Sequence, residues 1–515
     1  MKAKFNRVVA PLMVLIMGLI SCDKDFEKIN TDPINSPSTT AAQLLSPALV
    51  NTLTANMNRN RSFNNELMQV SVDISDGDGK VFRYDYRSST SDYLWNSLYT
   101  QLTNFKGVYD EASKTATANS SYKGISLICQ AWIYSLLTDT YGDIPYSESN
   151  QGRNGILEPS FDKQKDVYLG LFKQLEEANT LLGSNTAIEA WSDPLYAGDI
   201  AKWRKFGNSL YLRLLLRVSG KAEVASEAIA KIKEIVETNS AKYPVMAGNE
   251  DSAILRWTGV GPYTSPYMLN VRSQDFRTPA IASFFIDHLR DWSDPRINIS
   301  TYGKNGVNVL GIAPGTVTFT GVPSGYAVGG AVTKQAYFYS YEQIVSSQPA
   351  RSLQNDPQTG MIMNYSELQF ILAEAALKGW ISGSVQSFYT AGILSGITQW
   401  IPTYANSVND QVFSDYLSGA DIEWDDTQNT EGKMEAIHIQ KYYSLFLADM
   451  QQWFEYRRTG HPILPKGSGL RNNGVMPARM VYPVYVQSAN PTNYDKAVAS
   501  QGADLISTEV WWQKD

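Results

Sequence analysis

Apolar residues recur at every third or fourth position along several stretches of this chain, which is the spacing that gathers them on one face of a helix. In the clearest case Trp203, Phe206, Leu210 and Leu214 fall on the same face. The pattern predicts helices over 121–138, 165–182, 203–218, 222–237, 364–378 and 435–457. Helices that follow one another in this way predict a mainly α fold: a tetratricopeptide-like helical-repeat scaffold with irregular loops and a few short strands.

The stretch between residues 239 and 362 has a different character. Helical spacing is largely lost apart from a short segment near 279–290, glycine and proline become frequent, and β-like runs such as Ala253–Trp257 appear. An irregular stretch of this length is uncommon in a compact domain unless it is functional or disordered. Its many tyrosines and tryptophans argue against disorder. We therefore predict binding loops carried by a rigid helical scaffold.

The N-terminal sequence predicts the cellular compartment. Three basic residues precede an apolar run over 8–20 that is too short to span a bilayer, and the run ends in the sequence Leu-Ile-Ser-Cys. This arrangement predicts a lipoprotein signal peptide over residues 1–21, lipidation of Cys22, and a polar, flexible tether over 22–40. The alternative is an ordinary secretory signal in which the cysteine is incidental.

Composition narrows the function further. The 515 residues carry a net charge of −7 with a pI near 5.3, which argues against nucleic-acid binding because that activity needs a basic surface. Of the two cysteines, Cys129 lies among apolar residues and is predicted to be a buried thiol. Neither a disulfide framework nor a thiolate zinc site can be built from that count. The 30 tyrosines point weakly to recognition of a planar or sugar-like ligand.

Several short sequences resemble the SusD/RagB family of outer-membrane nutrient-binding lipoproteins. They are Asn30–Pro33 after the cysteine, Thr140–Tyr146 (TYGDIPY), Trp203–Phe206 with Arg213 and Arg217, Ala373–Ala375 with Gly379, and Gln440–Tyr442 with Trp453–Pro462. Each sequence is modestly specific, but together they follow the family's order over nearly the whole chain. The resemblance implies one SusD-like helical domain over 41–515, with four tetratricopeptide-like units and a ligand-binding portion around 239–362.

The same resemblance implies a location and a function. The protein would be anchored in the outer membrane and face the cell exterior. It would bind an oligosaccharide or, as in some members, a peptide, and deliver it to a SusC-like TonB-dependent transporter. No cofactor is implied, and the one metal considered is calcium.

Two groups of residues are predicted to bind the ligand, because sugars stack their C–H faces on aromatic rings while polar groups at the ring edge bond to hydroxyls. The first group is Arg83, Tyr84 and Tyr86, an arginine beside two tyrosines in a loop. Tyr93 and Trp95 follow closely, but they are predicted to begin a helix and to belong to its core.

The second group lies in the irregular stretch and consists of Trp257, Tyr263 and Tyr267. We expect the loops that carry the two groups to converge into one shallow ligand site. The alternative is that these rings pack in the core.

Asp76 and Asp78 are the best candidates for binding calcium, which prefers clustered carboxylate oxygens on a tight turn. Together with Gly79 they would fill positions three, five and six of an EF-hand loop. Ile74 at position one cannot ligate, and position twelve is Asp85 instead of glutamate. A polar loop tip without a metal is the alternative.

Three acids near the Thr140–Tyr146 turn, Asp139, Asp143 and Glu148, allow a catalytic alternative. Glycoside hydrolysis needs two carboxylates that flank the bond to be cleaved. We expect these acids instead to accept hydrogen bonds from neighbouring backbone amides.

Two pairs of arginines, Arg213 with Arg217 and Arg457 with Arg458, are expected to bridge to carboxylates of neighbouring helices rather than to clamp an anionic ligand. The three histidines are not in a metal-binding spacing, and the sequence contains no Gly-x-Ser-x-Gly elbow to mark a nucleophile.

These features together predict a cell-surface lipoprotein that is not an enzyme and that binds a glycan and passes it to a TonB-dependent transporter. Three alternatives stay open. They are a peptide-binding member of the same family, a surface glycoside hydrolase that uses the three acids, and an assembly lipoprotein without a small ligand.

Overall fold

The computed structural model describes residues 39–75, 77–297, 308–314, 318–344 and 350–514. The predicted signal peptide, Cys22, most of the predicted tether and Asp76 lie outside the described residues. The α-helices in chain order are α1 (Ala41–Arg59), α2 (Asn65–Leu67), α3 (Thr90–Glu111), α4 (Ser120–Tyr141), α5 (Gln164–Leu182), α6 (Ile200–Val218), α7 (Ala222–Lys233), α8 (Pro266–Asn270), α9 (Ser273–Phe276), α10 (Ser283–Asp291), α11 (Tyr365–Leu377), α12 (Val385–Thr398), α13 (Gln411–Gly419), α14 (Thr430–Ser444), α15 (Gln451–Thr459), α16 (Val484–Ala489) and α17 (Pro491–Gln501).

The scaffold is built from helices that pack on their neighbours in sequence. Helix α1 packs on α3, and the run continues through α4, α5, α6 and α7; α11 packs on α12, and α14 lies against both. Each helix turns its apolar stripe toward its neighbours, as α5 does with Val167, Tyr168, Leu171 and Leu175. The mainly α, repeat-like fold predicted from the sequence is confirmed.

The prediction of one continuous helix over 435–457 is wrong. The chain forms two helices there, α14 and α15, because Leu447 and Asp449 adopt positive φ angles of 73° and 35°. The carboxylate of Asp449 accepts hydrogen bonds from the backbone N–H of Met450 at 2.6 Å and from the Gln451 amide at 2.9 Å. These bonds hold the break open and start the second helix.

Short strands occupy part of the irregular stretch. In chain order the described strands are β1 (Ser71–Val72), which precedes that stretch, and β2 (Ala253–Leu255), β3 (Ala280–Ile281), β4 (Ile312–Ala313), β5 (Tyr337–Phe338) and β6 (Gly360–Met363). They pair antiparallel as β1 with β3, β2 with β6 and β4 with β5. The β2–β6 pair aligns Ala253 with Met363 and Leu255 with Gly360, so it ties the start of the irregular stretch to its end.

A network of buried charges ties α6 to three helices of the C-terminal half. Glu455 on α15 accepts from Lys441 at 2.6 Å and Arg458 at 2.8 Å, and it lies 3.1 Å from Arg217 on α6. Burial alone would raise the pKa of the Glu455 carboxyl, but Arg458 and Lys441 outweigh burial and hold that pKa well below its usual range. Arg458 also reaches Glu374 on α11 at 2.6 Å.

Arg213 makes a second buried tie from α6. Its guanidinium donates to both carboxylate oxygens of Glu367 on α11, each at 2.6 Å, and to the carbonyl of Ile362 at 2.9 Å. The expectation that the arginine pairs bridge to carboxylates of neighbouring helices is thus confirmed for three of the four. Arg457 differs, since it donates to the backbone carbonyl of Asp139 at 2.6 Å.

Cys129 is buried in α4 and has no disulfide partner within the described residues, as predicted. None of the described helices is both long enough and apolar enough to cross a membrane.

The Arg213–Glu367 pair generates a stability prediction. Glu367→Leu should lower the free energy of unfolding by about 3–5 kcal/mol, because it strands a buried guanidinium without its counter-ion. The double variant Arg213→Met/Glu367→Leu should lose less than the single variant, since no charge is left unpaired. Urea unfolding followed by circular dichroism measures both; a double variant weaker than the single one would contradict this role of the pair.

Candidate functional site

Helix α3 presents a polar and aromatic outer face above its buried stripe. Leu94, Trp95, Leu98 and Leu102 turn inward at helical spacing. Tyr93, Asn96 and Thr100, which also share helical spacing, lie on the solvent side. The neighbouring stripe of α3, with Trp95, Tyr99 and Thr103, forms one wall of a groove beside this exposed face.

The opposite walls of the groove are the loop over residues 145–161 and helix α16. We call the whole depression the α3 groove. Its aromatic part, of about 180 Å³, is lined by Trp95, Tyr99, Pro145, Ser149, Asn150, Leu157, Pro159, Phe161, Tyr485, Val486, Ala489 and Asn490. A second cavity of about 640 Å³ continues from it, because Ser149 and Asn150 line both.

The TYGDIPY turn holds the 145–161 loop in place. The Tyr99 hydroxyl donates to the Pro145 carbonyl at 2.7 Å. In return the Asn150 amide donates to the carbonyl of Tyr99 at 2.7 Å and to the hydroxyl of Thr103 at 2.8 Å. Gly142, at φ 85°, makes the reversal that directs the chain from α4 into this loop. The groove wall is therefore fixed to α3 by side chains of α3 and the loop itself.

Ring contacts set the shape of the aromatic part. Trp95 contacts Tyr99 at a centroid distance of 4.9 Å, Phe161 at 6.3 Å and Tyr482 at 5.9 Å. Tyr485 is 43% exposed, and its hydroxyl donates to the side-chain carbonyl of Asn96. An accessible ring thus lies at the mouth of a preformed aromatic pocket.

An arginine of α1 lies beside Tyr93 on the exposed face of α3. The Arg59 guanidinium lies 4.9 Å from the centre of the Tyr93 ring, and the Asn58 amide donates to the Tyr93 hydroxyl at 2.8 Å. Burial lowers the pKa of Arg59 from its ordinary value. The Arg59 Nε and Asp92 Oδ1 atoms make no hydrogen bond with any residue that the structure describes. Both atoms are buried, so this unused hydrogen-bonding capacity lies beneath the Tyr93 ring and not at its 37% exposed face.

Such a combination suits a sugar. Exposed tyrosine rings offer faces for C–H stacking, and the amides and guanidinium at their edges offer donors and acceptors for hydroxyl groups. The site lies mainly on a rigid helix, which keeps these groups in place before a ligand arrives.

The first predicted group, Arg83 to Tyr86, lies elsewhere and packs inward. The buried Arg83 guanidinium lies beside the stacked rings of Phe82 and Tyr326, 4.7 Å from the centre of each, and donates to the Tyr326 carbonyl at 2.8 Å. Tyr84 is buried. Tyr86 is half-buried, and its hydroxyl donates to the Arg479 carbonyl at 2.8 Å. Arg83 here clamps two loops together.

The second predicted group also makes packing contacts. Trp257 is 2% exposed, and Tyr267 is buried with its hydroxyl donating to the Met57 carbonyl at 3.2 Å. Tyr263 is half-buried and shares a 2.8 Å hydrogen bond with Ser46 on α1. No hydrogen bond or ring contact between described residues joins the two groups. Ligand binding by these six residues stays a prediction, while the accessible aromatic surface lies in the α3 groove.

The structure describes only part of the loop predicted to bind calcium. Asp78 is exposed, and Asp76 lies outside the described residues. Asp73 pairs with Lys80 at 2.7 Å, and Asp85 accepts from the Gly79 N–H at 3.0 Å. These neighbouring acids already have partners in the protein, and calcium binding here stays a prediction.

The three acids of the catalytic alternative are engaged in structural contacts. Asp143 accepts from the backbone N–H of Gln164 at 2.9 Å, and Glu148 accepts from that of Ser160 at 2.7 Å. Asp139 is buried and accepts from the hydroxyl of Tyr168 at 2.6 Å. The expectation of backbone capping is confirmed for Asp143 and Glu148.

Sequence reasoning placed Tyr93 and Trp95 together in the core. Both do begin a helix and Trp95 is buried, but Tyr93 faces solvent. The available signal was that Tyr93 falls one position before the buried stripe that starts at Leu94. Tyr485 carried no comparable signal, since it reaches α3 from nearly 400 positions later in the chain.

Comparison with known proteins places the chain among SusD-like proteins. The profile of the SusD-like family, described as "Starch-binding associating with outer membrane", matches residues 33–483. A solved structure described as a chitin-binding protein is 26% identical, with 92% of this chain and 100% of that chain covered and a TM-score of 0.71. A SusD homologue from Bacteroides fragilis is 25% identical, with 93% and 100% covered and a TM-score of 0.71.

A chitin-binding SusD homologue from Flavobacterium johnsoniae shares the fold at 19% identity, with 92% of this chain and 99% of that chain covered and a TM-score of 0.72. A search of curated proteins gives no match.

Buried and accessible aromatic residues should differ in how much they contribute to the free energy of unfolding. Trp257→Ala should lower the free energy of unfolding by about 3–5 kcal/mol, because it empties a filled site beside Gly360. Tyr485→Ala should lower it by about 1 kcal/mol or less, because Tyr485 is 43% exposed and fills no closed site. Urea unfolding measures both, and equal losses would show that the two rings are not distinguished by packing.

Proposed function

The chain belongs to the SusD-like family of outer-membrane-associated nutrient-binding proteins, and on this premise we propose that it captures a nutrient glycan in the α3 groove and passes it to a partner TonB-dependent transporter. The observation that carries the proposal is an accessible tyrosine ring, Tyr485, that meets the amides of Asn96 and Asn150 at one preformed groove. Tyr93, Asn96 and Tyr485 are the residues that would touch the sugar first.

The groove can hold an extended oligosaccharide. One sugar ring would stack at Tyr485 above the aromatic pocket, and its neighbours would run along the outer face of α3 toward Thr103. Hydroxyl groups would bond to Asn96 and Asn150. Stacking and a few hydrogen bonds give modest affinity, which suits a protein that must release its ligand to a transporter.

Chito-oligosaccharides are the first ligands to test, because the 26% identical solved structure is described as chitin-binding. Peptides are the alternative ligand class within the same binding role.

Binding without turnover is the activity we propose. The acids that could serve a hydrolase, Asp139, Asp143 and Glu148, each accept hydrogen bonds within the fold, and burial raises the pKa of Asp139 and Asp143. A glycan in the α3 groove would meet rings and amides instead.

We also propose that Cys22 carries the lipid that holds the protein on the outer leaflet of the outer membrane. The polar sequence over 22–40 would serve as a tether. A tether of this length can reach several tens of ångströms when extended. That reach lets the helical domain move between the bilayer surface and a transporter.

The groove generates a binding prediction. Tyr485→Ala should weaken binding of the best oligosaccharide by about fivefold to tenfold, because a stacking partner is removed. Isothermal titration calorimetry of the full mature chain in detergent, against chito-oligosaccharides, other glycans and short peptides, measures the effect.

The matched control is Trp191→Ala, which removes another exposed ring, on the loop between α5 and α6. It should leave the affinity unchanged. Equal weakening by both variants would contradict the groove as the site. Sugar cleavage products in the titrated mixtures would contradict binding without turnover, and saturable binding of peptides alone would favour the alternative ligand class.

The anchor can be tested by fractionation. Cys22→Ser should release the protein from the membrane fraction, whereas Cys129→Ala, which changes the buried thiol, should leave it there. Immunoblots of membrane and soluble fractions report both. Retention of the Cys22→Ser protein in the membrane would contradict anchoring through this residue.

A further inference from the structure

The larger cavity of the α3 groove carries charge that the aromatic part lacks. Its lining includes Lys106 and Asp110 from α3, Gln130 from α4, and Asn150 and Arg153 from the 145–161 loop. At about 640 Å³ it has room for a sugar unit with a substituent. It adjoins the aromatic part at Asn150, so one ligand can enter both.

Lys106 is a cation held without a counter-ion. Its Nζ donates to the carbonyl of Ser149 at 2.7 Å and to the hydroxyl of the same residue at 3.0 Å, both neutral acceptors. Within the described chain no carboxylate lies within 4.0 Å of this nitrogen. Desolvation lowers the pKa of Lys106 to about 8, although Asp110, one turn along α3, acts against that shift. A partly desolvated charge without an ionic partner is unfavourable, and an anion in the cavity would relieve it.

Arg153 supplies a second cation to the cavity from the 145–161 loop. It lies in a 3₁₀ turn, Gly152–Asn154, and its side chain is exposed. No carboxylate of the described residues lies within 4.0 Å of its guanidinium nitrogens. The turn is bounded by Asn150 at φ 59° and Gly155 at φ 84°, and Asn150 is bonded to α3. The loop geometry therefore presents a guanidinium whose paired N–H groups suit a carboxylate or a sulfate.

We propose that this cavity binds an anionic substituent of the glycan held in the α3 groove, so that the preferred ligand is an acidic oligosaccharide bearing a uronate carboxylate or a sulfate ester. Lys106 and Arg153 would face the anion from two walls. Asp110 faces the same cavity and offsets part of this charge, but two cations stand against one acid. The inference rests on the proposed function and names the ligand class of the same site.

The test compares matched neutral and acidic ligands. The full mature chain in detergent is titrated with chitotetraose, with its 6-O-sulfated form and with its C6-oxidised uronate form. At low salt we expect at least one acidic form to bind about tenfold more tightly than the neutral sugar. Raising the ionic strength from about 0.02 M to 0.3 M should shrink that preference, because the anion is recognised by partly exposed charges. The two acidic forms distinguish a carboxylate from a sulfate.

Variants locate the preference. Arg153→Gln, an exposed substitution that does not disturb folding contacts, should reduce the acidic-to-neutral affinity ratio from about tenfold to below about threefold. Lys106→Gln should do the same, and it also removes the two hydrogen bonds from Lys106 to Ser149. The matched control is Lys233→Gln on α7, which removes one exposed positive charge and should leave the ratio as it is.

The possible results separate failure of the acidic-ligand inference from failure of the proposed glycan-binding function. Equal binding of the neutral and acidic forms would overturn the acidic-ligand inference and leave the proposed function standing. A preference for acidic forms that survives Arg153→Gln and Lys106→Gln would also overturn it, by placing the anion elsewhere. Binding of none of the sugars would overturn the inference together with the glycan-binding function.

Discussion

The buried charge network around Glu455 is the constraint on which the rest of the structure depends. Three cations, from Arg217, Lys441 and Arg458, converge on this one carboxylate in the interior. Charges can be buried only when they are paired, so the helices that carry them can pack in very few ways. The network therefore fixes α14 and α15 against α6 and thereby sets the C-terminal third of the chain against the repeat scaffold.

The α3 groove follows from that arrangement. Arg457, next to the network on α15, donates to the carbonyl of Asp139 at the end of α4. The segment that follows lies along the same end of α4, where the N–H of Met480 donates to the carbonyl of Thr140 at 2.9 Å and the Tyr482 hydroxyl donates to that of Asp143 at 2.5 Å. Three residues later Tyr485 reaches α3. The binding surface is thus made by a C-terminal segment laid over an N-terminal helix.

This long-range construction explains what could and could not be predicted from the sequence. Helix spacing such as that of Trp203, Phe206 and Leu210 is a local signal, and it located α4 to α7 and α11 correctly, while α1 and α12 were not predicted. The break at Asp449 depends on contacts with distant residues, including Trp132. The apolar spacing continues across the break, and it therefore predicted one helix where the chain forms two. The tyrosine-rich loops were expected to bind ligand because their glycines and prolines suggested exposed loops. Rings such as that of Trp257 are instead buried, and the Trp257 ring packs against the backbone at Gly360.

The measurement that tests glycan capture in the α3 groove most directly is a crystal structure of the mature protein with a bound oligosaccharide. We predict sugar density stacked on Tyr485 and running along the exposed face of α3, with hydroxyl groups near Asn96 and Asn150. Density confined to the loops around Tyr86 or Tyr263, with the α3 groove empty, would contradict the site proposed here and favour the residues predicted from sequence alone.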